Sequence, residues 1–99
     1  MDATTYIKRI LQAYPEIKRK PTEQRTRNEQ RRVDAVDGVI SLVEHMEDGE
    51  KIKTLIKRVY FDKTHTLYGA AVLVPVSERT AQRWNKRVIQ ALAKILDLP

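Results

Sequence analysis

The sequence predicts an all-α protein: a small helical bundle with a C-terminal helix-turn-helix, preceded by an N-terminal amphipathic helix and a basic arm. Three observations carry this expectation. Apolar residues recur at the three-and-four spacing of a helix face in four separate runs. Ser or Thr stands at the head of several of them, where a side-chain oxygen can accept from a free helix N–H. No two segments alternate as partner strands would.

The first run is Ile7, Ile10, Leu11, Tyr14 and Ile17, with Thr4 or Thr5 as its cap. Pro15 lacks an N–H and clashes with the preceding turn, which predicts a break or kink near Tyr14. Lys18 to Arg32 contains no apolar residue and carries seven basic against two acidic side chains. It is excluded from a core and reads either as a solvated helix extension or as a mobile basic linker. On this pattern residues 1–32 form a helix with its linker, and residues 33–99 a helical domain.

Val33, Val36, Ile40, Val43 and Met46 mark a second helix, with Val39 widening its stripe and Gly38 weakening it. Asp48-Gly49 predicts its end, with Gly49 in the left-handed conformation of a C-terminal cap. Ile52, Leu55, Ile56, Val59 and Tyr60 continue as a third helix ending near Asp62. Thr66 caps a short helix, Leu67 to Leu73, and Val74-Pro75-Val76 connects it to a long last helix capped by Ser77. Ala81, Trp84, Val88, Leu92 and Ile95 lie on one face of that helix, with Leu96 beside them. The β-branched stretch Ala71 to Val76 offers a strand as the alternative, but Pro75 and the lack of a partner strand favour helix and connector.

A chain of 99 residues buries one modest core, which excludes large enzymes. No apolar run reaches the roughly 20 residues of a membrane span, and the first residues show no secretory pattern. Cysteine is absent, so neither a disulfide nor a thiolate metal site is available; this fits a cytoplasmic protein. His45 and His65 are too few for a tetrahedral metal site. The acidic block Asp34, Asp37, Glu44, Glu47, Asp48 and Glu50 lacks the spacing of a calcium loop and reads as a solvated face. With no nucleophile triad and no phosphate-binding glycine loop, the sequence predicts no enzyme, no metal and no cofactor.

The net charge of +6 favours a polyanionic partner. It is concentrated in residues 18–32 and in residues 51–99, where ten basic face three acidic side chains. The last third also supplies each part of a helix-turn-helix: Ala71 as the small crossing residue, a turn at Pro75, Ser77 as N-cap, and Ala81, Trp84 and Val88 as anchors. Pro75 departs from the usual turn glycine. Glu78, Arg79, Gln82 and Arg83 then become candidates for base edges, Arg suiting guanine and Gln adenine. Ser77, Thr80, Lys86 and Arg87 are candidates for phosphates. Trp84 aligns with Ala81 and Val88 and reads as a core anchor rather than a base-stacking residue.

Val76-Ser77-Glu78-Arg79-Thr80-Ala81-Gln82-Arg83 resembles the V-S-x-x-T-[VA]-x-R signature of sigma-factor region-four-like domains. The run Lys57 to Leu67 ahead of it resembles the small phage transcriptional regulators of the RinA and ArpU type, whose N-terminal pattern is echoed by Tyr14-Pro15-Glu16-Ile17. Over residues 52–96 this resemblance implies a bacterial or prophage cytoplasmic regulator. Such a protein binds double-stranded DNA to control late phage genes, with host RNA polymerase as a partner. The apolar stripe of the first helix, Ile7 to Tyr14, suits either a homodimer contact or packing on the C-terminal bundle. Two alternatives share these features: a small-terminase-like DNA-packaging adaptor that assembles into rings, and a sigma-like adaptor that binds protein and not DNA.

Overall fold

The computed structural model describes residues 2–98 and is helical throughout, with no strand among the described residues. Helix α1 spans Ala3–Arg19, α2 Arg27–Glu44, α3 Gly49–Ile56, α4 Leu67–Leu73 and α5 Glu78–Ile95. A 3-10 turn, Thr22–Gln24, joins α1 to α2, and α3 runs on as a π-helical turn, Lys57–Phe61. None of these helices is long and apolar enough to cross a membrane.

Of the break or kink expected near Tyr14, the break does not occur: helix α1 is continuous through Pro15. Proline inside a helix costs about 3 kcal/mol, from a lost bond and a clash. Ile7, Ile10, Leu11 and Ile17 are buried on both sides of it, and each fully buried aliphatic side chain contributes ~1.5–3 kcal/mol, so tertiary packing wins. The cap is Asp2 rather than Thr4 or Thr5: the Thr5 amide donates to Asp2 Oδ1 at 2.8 Å.

The apolar-free segment takes helical form at both ends. Thr26 and Glu29 form a capping box at the head of α2: the Glu29 amide donates to Thr26 Oγ1 at 3.1 Å, and the Thr26 amide to Glu29 Oε1 at 3.0 Å. Arg25 folds the connection onto the end of α1. Its Nε donates to the carbonyls of Ile17 and Lys20, and its Nη2 to that of Lys18 at 3.0 Å, which occupies carbonyls a helix end leaves open.

Gly49 has a different role from the one expected. No glycine among the described residues has positive φ, and Gly49 opens α3 instead of capping α2. A Cβ there would lie 2.4 Å from the Val43 carbonyl oxygen, so it is the close approach of the two helices that demands glycine.

One core joins all five helices. Trp84, Val88 and Leu92 of α5 meet Ile7 and Leu11 of α1, Val36 and Val39 of α2, Ile52 and Leu55 of α3, and Ala70 and Ala71 of α4. Residues on both sides of position 32 contribute to it. Ile95, expected on the buried face, is 46% exposed, and Leu96 is buried in its place. The chain leaves α5 there through a Schellman turn: Asp97 adopts φ 56°, and the Leu98 amide reaches back to the Ala93 carbonyl at 2.8 Å.

Tyr14 locks three elements together. Its hydroxyl donates to Asp37 of α2, its ring stacks on Phe61 with centroids 4.9 Å apart, and Lys18 pairs with the same Asp37 at 2.7 Å. Burial disfavours the Asp37 carboxylate, but the hydrogen bonds from Lys18 and Tyr14 outweigh it and hold this carboxyl below the ordinary aspartate range.

Two measurements check these assignments. In urea unfolding, Gly49→Ala lowers stability by about 2 kcal/mol or more, since backbone must move. Gly38→Ala meets only Ile95 Cδ1 at 3.9 Å and raises stability by roughly 0.5–1 kcal/mol through helix propensity. In acid titration the Asp37 contribution is complete above the pKa of an unfolded aspartate, about 4, and is lost as pH falls through its lower folded value. The Asp37→Asn protein therefore loses less stability between neutral and strongly acid pH than the parent.

Candidate nucleic-acid interface

Helix α5 takes its orientation from its ends and one face. Ser77 sits in extended backbone, and its Oγ accepts from the Thr80 amide at 3.1 Å, fixing the first turn. Trp84, 5% exposed, and Ala81, Val88 and Leu92 hold the inner face. Asn85 accepts from the buried Tyr60 hydroxyl and ties α5 to the π-helical turn. Burial holds that hydroxyl above the ordinary tyrosine range.

The approach from α4 explains Pro75. Thr66 caps α4 through the Gly69 amide at 3.0 Å, and the Val76 amide donates to the Ala71 carbonyl at 3.0 Å across the turn. Val74 has φ −90° and ψ 20°, ordinary for an L-residue, so the turn needs no glycine and leaves Pro75 at the surface. Ala70 and Ala71 are both buried, which lets α4 lie close to its neighbours. Tyr68 and Val72 face outward, 61% and 66% exposed.

The eight residues singled out from the sequence fall into three groups. Ser77 and Thr80 are engaged with each other, hydroxyl to hydroxyl at 2.9 Å as well as through the cap. Glu78 accepts weakly from Gln82 at 3.4 Å, one turn on. Arg79, Arg83, Lys86 and Arg87 are exposed, and among the described residues none of them pairs with a carboxylate or donates a hydrogen bond within the chain. Lys18, Lys20, Lys53, Lys57 and Arg58 differ: each lies within 4 Å of an acidic group.

At 100° per residue Arg79, Arg83 and Lys86 form one row, opposite Trp84 and Val88. Sequence reasoning ended this row at Arg87, yet Gln90 and Lys94 continue it, both exposed, over roughly 22 Å from Arg79 to Lys94 at 1.5 Å per residue. The i, i+4 steps from Lys86 would have found them. The row can hold anions along a rigid rod, with N–H groups and the positive helix end at Ser77 adding to it. His45 and His65 make local contacts, His45 Nδ1 to the Ser41 carbonyl at 2.7 Å and His65 Nδ1 to Thr64 Oγ1 at 2.9 Å. Comparison with protein families, with curated proteins and with solved structures finds no match to the chain.

Because the Ser77 hydroxyl is used as a cap, Ser77→Ala lowers stability by about 1 kcal/mol in thermal or urea unfolding. Ser77→Asp retains most of it.

Proposed function

We propose that this chain is a double-stranded DNA-binding protein that presents α5 to the major groove as the second helix of a helix-turn-helix. More narrowly, it is a sequence-selective transcriptional regulator of the small phage kind, acting in the cytoplasm of a bacterial host.

The observation that carries the reading is the row of unpaired cations on the outer face of a helix whose inner face is fixed by Trp84, Val88 and Leu92. A cation already neutralised by an internal carboxylate gains little from a phosphate; among the described residues Arg79, Arg83, Lys86 and Arg87 have none. Arg79 and Arg83 sit in the first two turns, the part of a recognition helix that reaches base edges, and Lys86 and Arg87 follow where backbone phosphates lie. The resemblance of Val76 to Arg83 to the sigma-like signature points the same way, and with it comes host RNA polymerase as a partner; the Ile7, Ile10 and Leu11 stripe is buried in the core, so a second copy of the chain would pair through another surface.

The protein-binding adaptor draws support from one feature, the apolar outer face of α4 at Tyr68, Val72 and Leu73. The packaging-ring alternative makes a different claim, a stable assembly of many subunits, which solution mass measures directly.

Fluorescence anisotropy on duplex DNA across salt concentrations separates these readings. Arg79→Ala with Arg83→Ala weakens binding at least tenfold and lowers the salt slope by about one unit for each phosphate contact removed. Unchanged affinity and slope would remove α5 from the interface. Selection of bound duplexes from a random pool then yields an enriched motif, whose half-site spacing reports a dimer.

A further inference from the structure

At the other end of α5 lies a second basic feature, on different helices. Tyr6 of α1, Asn28, Arg31 and Arg32 of α2, and Leu96 and Leu98 line a cleft of about 260 Å³. Among the described residues no acidic side chain lines it, and Asp34 lines a neighbouring depression that shares Arg31 and Leu96 with it. Arg32 also faces the adjoining depression beside Arg9, again without a carboxylate.

Each guanidinium is held by a neutral acceptor. Arg31 Nη2 donates to the Leu96 carbonyl at 2.8 Å, and Arg32 Nη2 donates to the Tyr6 hydroxyl at 3.1 Å while its guanidinium lies 5.7 Å from the Tyr6 ring centroid. These contacts fix both side chains without neutralising either, and no ion pair among the described residues involves them. A guanidinium has five N–H donors, so most remain unused on each. Two adjacent, positioned guanidiniums beside an amide and a hydroxyl match a tetrahedral oxyanion, whose oxygens accept several charge-assisted hydrogen bonds at once.

We propose that this cleft is a phosphate-binding site, formed by Arg31 and Arg32 with Asn28 and Tyr6 and separate from the α5 row. The ligand class is a phosphate group, borne either by a small molecule or by the backbone of a nucleic acid. The site does not rest on the reading of α5 as a DNA reader, because inorganic pyrophosphate probes it alone.

The test is an NMR titration of the full chain with pyrophosphate, against sodium chloride at matched ionic strength. Saturable shifts of the Arg31 and Arg32 Nε–H signals and the Asn28 side-chain amide are expected with pyrophosphate and not with chloride. Replacing either arginine also removes a packing contact, so the decisive variant is Asn28→Asp. It places a carboxylate in the cleft, leaves both guanidiniums in position, and suits the first turn of a helix. Asn28→Asp weakens pyrophosphate binding at least tenfold with an unfolding midpoint no lower than the parent's. A second arm adds duplex DNA to the Arg79→Ala, Arg83→Ala protein: shifts at the same three residues identify backbone phosphate as the source, and shifts with pyrophosphate alone identify a small ligand. Equal shifts with chloride, or equal affinity in Asn28→Asp, would overturn the site whatever α5 does with DNA.

Discussion

Every other helix of this molecule packs on the apolar face of α5. A chain of this length has few side chains to spare for a core, and here it arranges them around one rod: Ala81, Trp84, Val88, Ile89 and Leu92, with Leu96 just beyond its end. The helix furthest along the sequence is thus the one the others need. That constraint also decides the outer face, since once half the rod is committed to four neighbours, Arg79, Arg83, Lys86, Gln90 and Lys94 have only solvent to face. The architecture and the cationic row are two sides of one amphipathic pattern.

Positive charge alone does not distinguish structural from available cations; pairing does. In the α1–α2 connection Arg25 spends its donors on carbonyls of α1, and Lys18 and Lys20 meet Asp37 and Glu29. These side chains convert a segment with no apolar residue into a defined corner. Exposed pairs of this kind contribute little individually, about 0–1 kcal/mol, but the capping box and the Arg25 carbonyl contacts satisfy groups that a helix end would otherwise leave to water. Along α5 the same residue types have no partner among the described residues, and the difference is one of neighbours rather than composition.

The helix positions were legible because they follow from periodicity, and the caps Thr66 and Ser77 because their chemistry is local. What was not legible depends on contacts distant in sequence. Pro15 predicts a break by local rules, and only the burial of Ile7 and Ile17 on either side of it overrides them. Gly49 looked like a left-handed cap, whereas its need for a missing side chain comes from the Val43 carbonyl of the preceding helix. Ile95 has the right spacing for the core but is the last helical residue, and the Schellman turn through Asp97, a position more often held by glycine, swings Leu96 inward instead. At the α5 surface the row was legible up to Arg87. That its cations lack carboxylates was not, since the acidic block could have folded against them; Glu44 and Glu50 turn instead toward Lys53.

The two ends of α5 differ in how they can attract an anion. At Ser77 the helix dipole is positive and its free N–H groups add to the field of Arg79 and Arg83, so attraction there is partly a property of the backbone. At Leu96 the dipole is reversed and exposed carbonyls repel anions. Affinity at that end has to come from side chains, Lys94 of α5 itself and those brought by another helix, and the one that reaches the Leu96 carbonyl is Arg31, which quenches the negative end with one N–H and keeps the others. The same contact that closes the C-terminus of α5 thereby positions a guanidinium beside Arg32. An anion at the cleft would depend on the α2–α5 junction being intact, whereas an anion at Ser77 would depend only on α5 and its cap.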